Sequence, residues 1–267
     1  MPEAPETAIQ ANNLKKFIQA HRIALTDRQR RYLRMKRGTD MILSGLALLV
    51  LMIPFGVVAV LQKLSSPHEP VIFRQQRVGR NAKTFTMYKF RTMKTTAPQY
   101  AATKELADAE QYISKLGHFL RFTSIDELPQ LFNVLRGDMS LIGPRPLIPQ
   151  EDEVHYLRAY YGIDQLRPGI TGWAQVNGRD LLDDYDKVFY DREYLKHVSA
   201  GFDIKVFWWS VLKVLGRMDI REGHTNTSPN DKSAKETGKE IASFQTEMSH
   251  VRTIHEQDAD EYEVKQA

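Results

Sequence analysis

The sequence predicts an α/β protein, mostly α with one small β-hairpin, in which a re-entrant membrane helical hairpin carries a cytoplasmic domain with interfacial amphipathic helices. Three observations predict it. Met41 to Leu61 is a run of 21 residues without a charge, interrupted by Pro54 and flanked on both sides by Lys and Arg. Val71 to Met93 alternates apolar and basic residues around Gly79-Arg80-Asn81. Beyond it, periodic apolar segments end in Phe202–Met218, whose broad apolar face carries Trp208 and Trp209.

Composition sets the bounds. At 267 residues the chain holds one compact domain with appendages. With no cysteine, disulfides and thiolate metal sites are excluded, and any metal must rest on carboxylates, His or substrate phosphates. The net charge of +4 is uneven: Glu222 to Ala267 holds ten acids and five Lys/Arg, leaving residues 1–221 with 32 basic against 23 acidic residues. Such a surplus suits nucleic acid, anionic lipid or phosphorylated substrates alike. The apolar run starts at Met41 and ends in AVLQKL without a small-residue cleavage site, so it reads as retained rather than as a signal peptide.

In chain order, residues 1–8 are Pro-, Glu- and Thr-rich and read as disordered, and a helical pattern starts near Ile9. Lys15 to Arg37 places nine Lys/Arg against the single Asp27, a density suited to anionic headgroups when an apolar segment follows. The apolar run is close to the ~20 residues that cross ~30 Å of hydrocarbon. Yet Pro54 removes a helical hydrogen bond, and basic residues stand on both sides, Arg34, Lys36 and Arg37 before and Lys63, Arg74 and Arg77 after. Two positive flanks place both ends on one side, so the reading is a dip into one leaflet with Pro54 at the bend. The alternating stretch Val71–Met93 reads as a β-hairpin from which Arg74, Arg77, Lys89 and Arg91 project. Thr95 to Gln111 reads as a loop with a short helix, and Ile113–Leu120 and Leu128–Leu135 as helices, with Pro129 tolerated in the first turn of the second.

Between those helices the adjacent carboxylates Asp126 and Glu127 lie between Arg121 and Arg145. An ionised carboxylate there can attack phosphorus or hold a divalent metal while the guanidinium forks grip phosphate oxygens. The same residues also fit a helix start, with Thr123 or Ser124 as the cap and acids in the first turn. A helix N-terminus would hold Asp126 ionised. Gly143-Pro144-Arg145-Pro146 forms a rigid turn, with room for a cis Xaa-Pro bond, that aims Arg145 at the same pocket. Leu147–Tyr161 reads as an amphipathic helix, and the Gly-rich LRPGITGWAQVNGR as a place where backbone approaches a ligand. Asp183, Asp184, Asp186 and Asp191 read as a solvated helix face, and Glu222 to Ala267 as a flexible acidic tail.

An apolar segment near Met41, YKFRTM at Tyr88–Met93, SIDELPQLFNVLRGDMSLIGPRP at Ser124–Pro146, RPGITGWAQVNGR at Arg167–Arg179 and FDIKVFWWS at Phe202–Ser210 follow one another over about two thirds of the chain. This ordered set resembles the bacterial sugar transferases, the monotopic phosphoglycosyl transferases that start glycan assembly on polyprenyl phosphate. The resemblance implies transfer of a sugar-1-phosphate, glucose or galactose, from a UDP-sugar to undecaprenyl phosphate at the cytoplasmic face of the bacterial inner membrane. It implies Asp126 as nucleophile, Glu127 beside it, and Mg²⁺ (or Mn²⁺) held by Asp126 and Glu127. Lys89 and Arg91 of KFRTM, Arg121, Arg145 and Asp203 would bind substrate and phosphate. Pro54, Trp208 and Trp209 would seat the chain in an anionic bilayer, and a homodimer is compatible. The family's usual break is a Ser-Pro pair, whereas Ile53 precedes Pro54 here. The chain resembles the short form, divided as residues 1–37 (basic helix with a disordered start), 38–63 (re-entrant hairpin), 64–221 (transferase domain) and 222–267 (acidic tail).

A membrane adaptor without enzymatic activity would explain the charge and amphipathicity equally well, but not the ordered RFTSIDELPQ and GPRP motifs. No nucleic-acid partner is expected, because the basic residues cluster beside the apolar segment rather than on an aromatic platform or recognition helix.

Overall fold

In the computed structural model, residues 22–97, 109–178, 182–216 and 239–246 are described. The expected disorder of residues 1–8, the helical start at Ile9, most of the loop expected at Thr95–Gln111 and most of the acidic tail lie outside them.

The first helix, α1 (Asp27–Ser65), starts where Thr26 and Gln29 form a reciprocal capping box, the Thr26 hydroxyl accepting from the Gln29 N–H at 3.2 Å. It runs 39 residues and continues through Pro54 as one helix, joining the expected basic helix before residue 37 to the apolar segment that follows it. Its apolar stretch faces outward: Leu46, Leu49, Val50, Met52 and Ile53 are all exposed, and 6% of its most apolar window is buried. This excludes a soluble core helix and marks α1 as the membrane-associating segment. Both ends of the stretch are tied to the same domain. Arg37 donates to the carbonyls of Val134 and Leu135, while Gln62 donates to the Arg91 carbonyl at 2.7 Å and Phe55 meets Phe90 edge-on at 5.2 Å.

Strands β1 (Ile72–Val78) and β2 (Thr84–Phe90) pair antiparallel, with Phe73 opposite Lys89 and Val78 opposite Thr84, as the alternation predicts. Their turn is a short 3₁₀ segment, Arg80–Ala82, in which Asn81 takes the left-handed conformation that asparagine tolerates. Then come α2 (Lys115–Phe122), capped by Ser114, a single 3₁₀ turn at Ile125–Glu127, and α3 (Gln130–Arg136), closed by Gly137 at φ 100°. The fully buried Asn133 of α3 accepts from the Tyr88 N–H at 3.1 Å and donates to the Thr86 carbonyl at 2.7 Å, clamping α3 across the hairpin. These bonds set the spacing between Lys89 and the Asp126-Glu127 turn.

Next, β3 (Ser140–Ile142) pairs parallel with β4 (Gly169–Thr171), and α4 (Asp152–Tyr161) lies between them in the chain. The glycines of the RPGITG segment approach neighbouring backbone closely. A Cβ on Gly169 would stand 2.2 Å from the Gly143 nitrogen and one on Gly172 2.1 Å from the Gly143 oxygen. This contact seats the Gly143-Pro144-Arg145-Pro146 turn, which contains no cis peptide bond. Gly169→Ala is therefore expected to wedge β3 from β4, destabilising by about 1–3 kcal/mol as over-packing does, with a lower midpoint in thermal unfolding and slower turnover because Arg145 moves.

Helices α5 (Trp173–Asn177), α6 (Asp184–His197), α7 (Ala200–Leu215) and α8 (residues 239–246) complete the fold. The main core gathers Val154, Leu157, Val188, Leu195 and Val206. Asp183 caps α6 as a local structural group, but Asp191 is not on a solvated face: it is 1% exposed and paired with Arg158. Part of the expected acidic tail is ordered, since α8 buries Phe244 against Tyr161 and Phe189 with the Arg192 guanidinium over its ring. A single aromatic anchor at a buried position outweighs the polar composition around it.

Candidate active site

The 3₁₀ turn puts Asp126 and Glu127, both largely buried, at the N-terminal side of α3. Ser124 occupies the left-handed region and makes no capping bond, so the helix-start reading of this pair does not hold. One turn of 3₁₀ helix also supplies little dipole, so the positive field here comes from side chains. The Lys89 ammonium, delivered by β2, donates to Glu127 Oε1 at 2.9 Å, and the Arg145 guanidinium stands 3.7 Å from the same oxygen. Asp126 acts electrostatically on Lys89 as well, so four of the sequence-predicted groups share one site: Lys89, Asp126, Glu127 and Arg145. Arg121 sits in the last turn of α2, the helix packed on this turn.

Burial pulls the Lys89 ammonium below the ordinary lysine value of 10.5, Glu127 opposes that shift and Arg145 adds to it. A lysine with a lowered pKa loses its proton earlier as pH rises, leaving Glu127 and any bound phosphate without their cation. The alkaline limb of activity should thus lie below 10.5, and Lys89→Arg should move it upward in a pH profile of kcat/KM.

The remaining two candidates are engaged by other partners. Arg91 donates to the Pro70 carbonyl at 3.0 Å and its guanidinium lies 5.5 Å from the Phe73 ring centre. Asp203 is buried, accepting from Tyr32 and Lys36 of α1 and from Tyr194 of α6 at 2.6 Å. Burial and the Asp203 carboxylate push the Tyr194 hydroxyl well above its usual range, so it remains a donor. Among the described residues no group of three or more His, Asp or Glu side chains is placed to hold a metal ion.

The sequence profile of the family described as bacterial sugar transferase matches residues 31–217, from the second turn of α1 to just past the end of α7. The chain belongs to the bacterial sugar transferase family. It is 41% identical over 186 residues to the UDP-glucose:undecaprenyl-phosphate glucose-1-phosphate transferase of Escherichia coli (strain K12), an alignment covering 67% of this chain and 40% of that protein. It is 35% identical over 219 residues to the undecaprenyl-phosphate galactose phosphotransferase of Salmonella typhimurium, covering 75% of this chain and 46% of that one. An uncharacterized sugar transferase of Bacillus subtilis (strain 168) is 41% identical over 172 residues, 63% of this chain and 80% of its own length. The chain thus spans less than half the length of the first two relatives.

Within this family member, the supports of the site were the part that sequence reading missed. Arg158 donates to the Arg145 carbonyl at 2.8 Å and pairs with buried Asp191, so a bond inside the core positions the Arg145 backbone. Arg158 sits on the inward face of an amphipathic helix, and a charge at a core position was the available signal.

Proposed function

We propose that the protein transfers a sugar-1-phosphate from a UDP-sugar, UDP-glucose or UDP-galactose, to undecaprenyl phosphate, releasing UMP and leaving undecaprenyl-diphospho-sugar. The observation that carries this reading is the buried Asp126-Glu127 turn framed by Lys89 and Arg145. Relatives named as glucose and galactose transferases to undecaprenyl phosphate supply the donor and acceptor classes.

In this reading an Asp126 oxygen attacks the β-phosphorus of the donor, the bond from that phosphorus to the α-phosphate oxygen breaks, and UMP leaves. A phosphate oxygen of the lipid then attacks the phosphosugar on Asp126, and the Asp126–phosphorus bond breaks. Lys89 and Arg145 hold the diphosphate and offset the charge of two approaching anions, and Glu127 holds Lys89 in place. Asp126 with Glu127 offers one or two carboxylates, which fits Mg²⁺, an ion that shares substrate phosphates and keeps its waters; when bound it neutralises developing charge on the leaving phosphate.

The membrane reading is that α1 bends at Pro54 and returns to the cytoplasmic side of the inner membrane. A straight helix from Arg37 to Gln62 would separate its ends by about 37 Å, more than the hydrocarbon thickness, whereas both ends bind one domain. Proline inside a helix is the usual cause of such a bend. On α7, Trp208 and Trp209 are 58% and 48% exposed beside Phe207 and Leu212, a face suited to the headgroup boundary. The test is UMP release from a panel of UDP-sugars by the full chain in nanodiscs containing undecaprenyl phosphate and Mg²⁺. Release from one sugar is expected; no release from any donor by folded protein would overturn the reading.

A further inference from the structure

A cavity of about 570 Å³ opens beside the first turns of α1, lined by Arg30, Arg31, Arg34 and Arg37 of that helix, by Arg80 of the hairpin turn and by Arg167 ahead of β4. It is separate from the site already described. Arg80 stands at the turn of the hairpin, and Lys89 lies five residues along β2 from Thr84, a distance of about 17 Å at strand rise.

Three segments far apart in sequence thus bring six guanidinium groups to one place. Arg30, Arg34 and Arg37 fall at helical spacing on one face of α1. Arg37 and Arg167 are held by neutral acceptors, the carbonyls of Val134, Leu135 and Gly137 at the C-terminal end of α3. Arg30 donates to the Leu25 carbonyl. Arg31, Arg34 and Arg80 make no ion pair among the described residues; of the two lining acids, Asp27 lies in the first turn of α1 and Asp40 is engaged by Ser140 and Lys36. Burial depresses the Arg167 pKa, Arg80 and Arg37 add to that shift, and Asp40 opposes it. Six like charges held together, three of them with carbonyls as partners, favour a phosphate-bearing anion, whose oxygens accept from guanidinium forks.

The position narrows the source. Arg34 and Arg37 precede Met41, where the exposed apolar stretch begins, by seven and four residues, or about 10 and 6 Å of helix rise. That is the depth of lipid phosphates. Leu25, Leu33 and Leu166 line part of the wall, offering apolar surface next to the charges.

We propose that this cavity binds the phosphate of an anionic phospholipid headgroup at a defined site, apart from diffuse attraction of the basic helix to the membrane. The inference does not rest on the proposed transfer reaction, and its test reads binding rather than turnover. The full chain, purified in neutral detergent, is titrated with short-chain phosphatidylglycerol, short-chain phosphatidylcholine or inorganic pyrophosphate while thermal unfolding is followed. Arg34→Gln/Arg80→Gln is compared with Arg28→Gln/Arg74→Gln, which removes the same charge outside the cavity. Phosphatidylglycerol is expected to raise the midpoint in the wild type and the control, with at least about tenfold weaker apparent affinity in the cavity variant, two cations being worth ~1 kcal/mol each. Equal shifts with both lipids, or equal affinity in both double variants, would overturn the proposal. A shift with pyrophosphate and none with phosphatidylglycerol would overturn the lipid source in favour of a soluble phosphate ligand.

Discussion

Asp126→Asn is expected to reduce sugar-phosphate transfer by about three orders of magnitude or more, the scale on which loss of a nucleophile acts. The amide keeps the shape of the carboxyl in a largely buried turn, so unfolding temperature should change little while turnover disappears. Glu127→Gln is the informative companion. Its oxygen receives Lys89 at 2.9 Å and faces Arg145 at 3.7 Å, so the amide weakens the hold on both cations without removing the attacking group. A loss of ten- to a hundredfold is expected, about 1.4–2.8 kcal/mol of transition-state stabilisation. Wild-type protein mixed with donor alone should release one equivalent of UMP and gain the mass of a hexose phosphate; the Asp126→Asn and Asp126→Ala proteins should do neither. Turnover within tenfold of wild type in Asp126→Ala would refute the covalent route and require direct attack by the lipid phosphate.

The charged groups of the candidate site and the apolar helix were legible in the sequence because both are local. The hairpin was set by alternation around Gly79-Arg80-Asn81, and its register brings Lys89 to the site. Pro54 and the two basic flanks were visible too, but the bonds that tie the helix to the domain, Arg37 to α3 and Gln62 to Arg91 just after β2, carry no sequence signature. Asp191 illustrates the limit. Four aspartates on one helix read alike by composition, but helix phase turns Asp191 inward, where Arg158 from a helix 33 residues away meets it. The Gly169–Gly143 contact was similarly hidden: a glycine tells that room is needed, not what fills it. Phe244 was concealed by its neighbours, as one docked aromatic ring in a polar tail leaves little periodicity to read.

Asp203→Ala is expected to destabilise the protein by about 3–5 kcal/mol, the cost of leaving one member of a buried ion pair without its partner. Asp203 is the common acceptor for Lys36, Tyr32 and Tyr194, and Tyr194 also reaches the Ile142 carbonyl at 3.3 Å. Next to it, Ser140 donates to Asp40 at 2.7 Å. Through these bonds the start of the membrane helix, α6, α7 and β3 are fastened together, and β3 leads directly into the turn that bears Arg145. With Asp203 truncated, Lys36 retains only the Asp40 carboxylate at 3.7 Å. These bonds predict a positioning role for Asp203, and the distinction from substrate binding is measurable. If Asp203 gripped the donor, Asp203→Asn would raise KM and leave the unfolding midpoint where it was. As a clasp, Asp203→Asn lowers the midpoint with donor KM little changed, and Lys36→Met/Asp203→Leu recovers much of the stability lost in Asp203→Ala because no buried charge is stranded. Failure of that double substitution to recover stability, together with a raised KM in Asp203→Asn, would return Asp203 to the donor site.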